Sequence, residues 1–179
     1  LDDSKRGFSF MQDGPLDMRM SQSGETASDI INKKNKEDLA DIFFYYGDER
    51  NSRKIALNIV KFRAQKKIET TLELAEIVKK SFPKKYFKKH PATKTFQALR
   101  IFVNNEINEL HQGLNHAYKY LTKNGKLCVI TFHSIEDRLV KNFFKLINNN
   151  TQSKKAIKAS SKEIKDNFRS RSAKLRKVQ

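Results

Sequence analysis

Residues 91–147 constrain the fold more than any other stretch. Phe96, Leu99, Val103, Ile107, Leu110, Leu114, Ala117 and Leu121 recur at helical spacing, which predicts one amphipathic helix of about 28 residues, or seven turns. Asn124-Gly125 ends it and turns the chain. Residues 127–132 then form a short apolar run bounded by that turn, the pattern of a buried strand. Ser134 with Asp137 predicts a capped helix carrying Ile135, Leu139, Phe143 and Ile147. Helix, tight turn, buried strand and helix together are a piece of an α/β fold built on a parallel sheet. One strand is not a sheet, so its partners are either missing from this sequence or come from elsewhere.

The remainder divides by composition. Residues 1–27 read as loop, punctuated by Gly7, Gly14-Pro15 and Gly24. Their apolar residues (Phe8, Phe10, Met11, Leu16, Met18, Met20) predict a loop packed onto something larger. Residues 28–92 are helical in pattern. Ser28 or Asp29 is expected to cap a first short helix, Asn35 with Asp38 a second and Thr70 with Glu73 a fourth. A third runs over about 48–66, and a basic connector over 84–90 holds Tyr86 and Phe87. Residues 93–150 carry the long helix, the strand and the next helix. Residues 151–179 are a basic tail.

The chain has 37 Lys and Arg against 20 Asp and Glu, a net charge of +17. That balance points to a polyanion, nucleic acid before an anionic membrane surface. No run approaches the ~20 apolar residues that span a bilayer. The opening, Leu1-Asp2-Asp3-Ser4, lacks the apolar segment of a signal peptide. A single cysteine, Cys128, excludes an intrachain disulfide and a cysteine-based zinc site. The six glycines are isolated, with no G-x-G and no P-loop. No metal site is expected, because no pair of histidines has ligand spacing.

Four places hold candidate chemistry. The loop Arg6-Gly7-Phe8-Ser9-Phe10 with Asp13-Gly14-Pro15-Leu16-Asp17-Met18-Arg19-Met20 sets two carboxylates and two guanidiniums among apolar anchors. It reads as a functional loop or as an ordinary packed one. Thr131-Phe132-His133-Ser134-Ile135-Glu136-Asp137-Arg138 lies where a strand meets a helix. In parallel sheets ligands bind at that edge, although Ser134 also reads as a plain cap. Arg169, Arg171, Lys174 and Arg176 suit phosphate recognition or a solvated tail. Arg100 and Asn104 share a helix face that either lines a groove or is solvated.

Five blocks of this chain resemble the MraW-type small-subunit ribosomal RNA (cytosine-N4) methyltransferases. They are the amino-terminal loop just quoted, Phe44-Tyr45-Tyr46-Gly47-Asp48-Glu49-Arg50, and His90-Pro91-Ala92-Thr93-Lys94-Thr95-Phe96-Gln97-Ala98-Leu99-Arg100. Phe132-His133-Ser134-Ile135-Glu136-Asp137-Arg138 and Arg169-Ser170-Arg171-Ser172-Ala173-Lys174-Leu175-Arg176 complete the set. The blocks stand in the family's order and together cover nearly the whole chain.

The resemblance implies an α/β fold: an incomplete class I methyltransferase (Rossmann-like) core, with an all-helical subdomain inserted at 28–92. It implies methyl transfer from S-adenosylmethionine to the N4 amine of a cytidine in small-subunit ribosomal RNA, in the cytoplasm. Asp17, His133 and Ser134 are then expected to border the active cleft. Arg19, Arg100, Asn104, Arg169, Arg171, Lys174 and Arg176 are expected to contact RNA. The family's glycine-rich cofactor loop precedes the position of Leu1, so this chain is expected to be the carboxyl-terminal part, and no cofactor-binding residue carries over. The alternative expectation is a non-catalytic RNA- or ribosome-binding fragment. Phe168 stands where the family usually has proline.

Overall fold

A computed structural model describes residues 4–83, 90–147 and 155–178. Residues 84–89 of the connector expected at 84–90, and the polar stretch 148–153, lie outside the described residues. The chain forms two compact units, Leu1–Glu106 and Ile107–Gln179. Each is described by itself. The elements are mixed α and β, with many helices and one three-stranded sheet.

In the first unit, the amino-terminal loop closes on Gly7. Its φ is +72°, and a Cβ there would sit 2.2 Å from the Pro15 carbonyl oxygen. Only glycine accommodates both conditions. The loop is then stitched to distant backbone. Met18 N donates to Arg6 O at 2.9 Å, Leu16 N to Glu69 O at 2.8 Å, and Thr71 N to Gly14 O at 2.9 Å. Leu16 and Met18 are buried, and Phe8 and Phe10 pack against the core. Met11 and Met20 are exposed.

Five helices follow: α1 (Ala27–Lys33), α2 (Lys36–Gly47), α3 (Ser52–Arg63), α4 (Thr71–Lys80) and α5 (Thr93–Val103). Thr26, rather than Ser28 or Asp29, caps α1, with Asp29 completing a capping box. Asn35 caps α2 and Thr70 caps α4, the latter in a full box with Glu73, both as the sequence predicts. The third helix is shorter than expected at each end. Helix α2 packs on α5 through Gly47, where a Cβ would stand 2.7 Å from Lys94 O. Leu39, Phe43, Ile55, Ile59, Leu74, Val78, Phe96 and Leu99 fill the core between these helices.

The expected seven-turn helix does not form. It breaks after Val103 into α5 and α6 (Glu106–Lys119). Asn105 takes a left-handed conformation at φ +51°. Asn104 turns its side-chain amide onto Arg100 O (2.8 Å) and Met18 O (2.8 Å), while its Oδ1 accepts from Met20 N (2.6 Å). Asparagine competes with helical backbone for these bonds, which is why an apolar stripe can run across a real break.

In the second unit, β1 (Leu127–Thr131) leads to α7 (Ser134–Ile147), then β2 (Ile157–Lys158), α8 (Ser161–Asp166), a 3-10 turn (Phe168–Ser172) and β3 (Lys174–Val178). The sheet order is β1-β3-β2, and both pairings are antiparallel. This corrects the buried strand of a parallel sheet. A partner for β1 comes from the basic tail, with Leu127 opposite Val178 and Val129 opposite Arg176. The strand is also only half buried. Leu127 and Val129 pack with Leu114, Val140, Phe143, Phe144 and Val178, whereas Cys128 and Ile130 face outward. Alternation of this kind is the antiparallel pattern.

Candidate functional site

Asp17 and Arg19 meet across Met18, which holds a left-handed φ of +61° while fully buried. A bulky residue there is strained, and the surrounding hydrogen bonds hold it in place. The result is a two-pronged pair. Arg19 Nε donates to Asp17 Oδ1 and Nη2 to Oδ2, each at 2.8 Å, and Arg19 N adds a bond to Oδ1 at 3.0 Å. Arg19 Nη1 reaches Gln22 O and Gly24 O. Arg6 Nη2 closes the loop from the other side on Arg19 O (2.9 Å) and Met20 O (3.0 Å). The Arg19 guanidinium holds the Asp17 carboxyl below the usual aspartate range. Asp17 is therefore an ionised hydrogen-bond acceptor and a weak base.

Arg100 and Asn104, expected in a groove or a solvated face, are both engaged internally. Arg100 Nε and Nη2 bind Glu106 at 2.8 and 2.9 Å, and Asn104 ties the end of α5 to the loop at Met18 and Met20. Sequence reasoning missed Arg6 as the loop clamp and Glu106 as a partner. The spacing from Arg100 to Glu106 crosses the helix break, so no helical periodicity could reveal it. The ring stack of Phe10 on His90 (4.7 Å between centroids, 14° between planes) was also unforeseen. Burial lowers the His90 pKa, with Lys79 adding to the effect.

In the second unit His133 and Ser134 stand at the start of α7. His133 caps the first turn: its Nδ1 accepts from Glu136 N at 3.2 Å. Glu136 returns the bond, its Oε2 accepting from Phe132 N (2.8 Å) and His133 N (3.3 Å). Its Oε1 lies 3.2 Å from His133 Nε2. Burial pushes the Glu136 pKa up, but these bonds outweigh it and hold the carboxyl below its ordinary value. The amides of Phe132, His133 and Glu136 are thus all satisfied by side chains. They form no cradle for the carboxylate or phosphate of a cofactor, and no residue here is assigned to hold one.

Asp137, expected to share in capping, faces the tail. Lys174 Nζ donates to its Oδ2 at 2.9 Å and Arg176 Nε to its Oδ1 at 2.7 Å. Burial raises the Asp137 pKa, and Arg176 and Lys174 more than reverse that, leaving it lowered. Lys174 and Arg176 lie on the face of β3 shared with buried Val178, which is how two cations come to point inward. Arg169 and Arg171 are exposed, and the Arg171 guanidinium lies 4.1 Å over the Phe168 ring. No described helix is long and apolar enough to cross a membrane.

A family model described as the MraW methylase family matches residues 1–179. A relative from Wolbachia sp. subsp. Brugia malayi (strain TRS), named ribosomal RNA small subunit methyltransferase H, is 51% identical over 189 residues, covering 100% of this chain and 57% of that protein. A protein of the same name from Deinococcus radiodurans is 50% identical, covering 98% of this chain and 57% of its own length. One from Maricaulis maris is 47% identical, with 98% and 59% covered. The chain thus spans somewhat more than half the length of these curated relatives. With the family pattern matched from first residue to last, the chain belongs to the MraW methylase family.

Proposed function

We propose that the protein bearing this chain methylates the N4 amine of one cytidine in small-subunit ribosomal RNA in the cytoplasm, with S-adenosylmethionine as methyl donor. The observation that carries this is the relatives' shared name together with about 50% identity over 98% of the chain or more. In this reading the chain is the carboxyl-terminal part of the enzyme. Residues 28–92 are a helical insertion. Residues 1–27 and 93–150 belong to a class I (Rossmann-like) core, and 151–179 are a basic extension.

The residues present would act on the RNA. The N4 amine of cytosine is a poor nucleophile because its lone pair is delocalised into the ring. An ionised acceptor fixed in position can hold that amine and align its lone pair. Asp17 fits this role: Arg19 keeps it charged, and the loop through Gly7, Met18 and Asn104 keeps it still. His133 and Ser134 would hold the turn from β1 into α7 beside the reaction. Arg169 and Arg171, exposed on the 3-10 turn, would contact phosphate. Lys174 and Arg176 would serve RNA binding indirectly, by docking the tail through Asp137. Arg19, Arg100 and Asn104 would position the loop for RNA without touching it.

The test is mass spectrometry of small-subunit rRNA nucleosides from cells whose copy of this protein has been inactivated. Loss of N4-methylated cytidine is expected, and an unchanged level overturns the reading. Within it, Asp17→Asn should slow methylation about 10- to 100-fold through one lost charge-assisted hydrogen bond. Arg19→Gln breaks the same ion pair but keeps the carboxylate. If it slows the reaction as much, Asp17 only shapes the loop.

A further inference from the structure

Helices α3 and α4 leave a cleft of about 300 Å³ on the first unit, away from the amino-terminal loop's Asp17–Arg19 pair in sequence and lined by other residues. Its lining is Asn58, Lys61, Phe62, Gln65, Ile77 and Lys80. The composition is unusual for a helix–helix seam: one ring, one buried aliphatic, two carboxamides and two ammonium groups. The volume sits at the small end of ligand pockets, which suits one planar heterocycle.

The cleft's polar groups are prearranged. Asn58 Nδ2 donates to Ser81 Oγ at 2.8 Å, and Ser81 Oγ donates onward to Ile77 O at 3.1 Å. Ser81 is completely buried. This relay fixes the orientation of the Asn58 amide and leaves Oδ1 as an acceptor with no partner among the described residues. The Gln65 amide likewise has none. Charge is arranged in the same sense. Lys66, Lys67 and Lys79 nearby are paired with Glu73, Glu69 and Glu76. Lys61 and Lys80 make no ion pair among the described residues, and no carboxylate lines the cleft. Two unneutralised ammonium groups flanking a ring and two amides match a base between phosphates. A neutral peptide side chain would leave the positive charge unanswered.

We infer that this cleft binds one unpaired nucleotide of an RNA strand. The base would lie against Phe62 and its polar edge would meet Asn58 and Gln65. The flanking phosphates would fall to Lys61 and Lys80. Aromatic stacking with cationic flanks is the general chemistry of single-strand binding. The inference rests on the reading above that the protein acts on RNA, and it adds a second contact distant in sequence from Asp17.

The experiment is fluorescence anisotropy of the full chain with a single-stranded 12-nucleotide RNA carrying 2-aminopurine at one position, across a salt series. The double variant Lys61→Ala/Lys80→Ala should bind roughly 25-fold more weakly at 0.1 M salt, with the salt slope reduced by about 1.4, the effect of two lost phosphate contacts on a single strand. Phe62→Leu should weaken binding about 5- to 100-fold and abolish the 2-aminopurine quench. Lys123→Ala/Lys126→Ala removes the same charge from exposed lysines of the other unit and should cost far less. Both lysines of the test pair are exposed, so folding is not at stake for that variant. Binding by the wild type with equal losses in the two lysine doubles overturns the cleft but leaves the RNA reading intact. No binding by the wild type overturns both.

Discussion

The two units of this protein are held together by different physics. Among the described residues the first gathers twenty-one buried apolar residues into one cluster, and the second gathers five. The first is made of neighbours in sequence, helix after helix, joined by caps and short loops. The second pairs β1 with a strand nearly fifty residues later, whose inward positions are a lysine, an arginine and a valine. Apolar burial is the main support of the helical unit. The sheet unit adds an ionic clamp on Asp137 to a small core, and so depends on charge for a larger share of its support.

Removing core volume should separate the two most sharply. Phe43 is fully buried, and Phe43→Ala should cost about 3–5 kcal/mol. Urea denaturation followed by circular dichroism should show the helical transition moving by that amount. A loss below 1 kcal/mol would mean that the cluster is not the unit's support.

The next effect belongs to the other unit. Asp137→Ala removes the carboxylate bound by Arg176, whose side chain is 10% exposed, and by Lys174, at 34%. It should cost about 3 kcal/mol, toward the low end for a broken buried pair because the lysine keeps part of its hydration. The pH dependence follows from the lowered Asp137 pKa. The clamp's contribution is complete above the unfolded-state aspartate value near 4 and is lost as pH falls through the lower folded value. The sheet unit should therefore weaken in acid below about pH 4, and Asp137→Asn should flatten that dependence. Urea midpoints measured from pH 6 to 2 check both; a parallel decline in the variant would place the acid sensitivity elsewhere.

A third effect asks whether the amino-terminal loop is integral to the helical unit. Gly7→Ala meets both a φ of +72° and the Pro15 carbonyl oxygen. It should cost about 2 kcal/mol and free the loop. Limited proteolysis should then cut within 6–20 before any helix is lost. Cleavage at an unchanged rate would show that the loop absorbs the methyl group by shifting.

What the sequence reveals follows the same division. The caps at Asn35 and Thr70 were legible because each signal lies within four residues. The packing of the amino-terminal loop was legible from its Phe and Met content. The break at Asn104 was hidden because the apolar stripe continues through it, and what ends the helix is a side chain bonded to Met18 and Met20, more than eighty positions away. The capping bond that His133 Nδ1 accepts from Glu136 N was not legible, since histidine is seldom an N-cap. The tail strand was hidden most completely. Lys174 and Arg176 read as phosphate-binding or solvated charge until Asp137 gives them a reason to face inward, and that pairing has no local signature. Of the candidate site, the Asp17–Arg19 pair lies two residues apart and was visible as composition. Its geometry depends on Met18 taking a conformation that nothing in a methionine announces.

The smallest effect tests the local end of this contrast. Thr70 Oγ1 accepts from Glu73 N at 3.3 Å, and Glu73 Oε2 accepts in return from Thr70 N at 3.2 Å and from Glu69 N at 2.9 Å. The first turn of α4 thereby satisfies donors that have no partner within the helix. Thr70→Ala removes the hydroxyl, and with it the cap and the hydrogen bond to the Asp13 carboxylate, but leaves the backbone bond of Thr71 N to Gly14 O in place, at a cost of about 1 kcal/mol for the lost cap. Thr70→Ser keeps the hydroxyl and should stay within a few tenths of the wild type. Hydrogen exchange at the amide of Glu73 should accelerate in the alanine variant and not in the serine one. If serine costs as much as alanine, the threonine methyl group supports α4 by packing, and even this most legible of the helix starts would owe its stability to tertiary contacts.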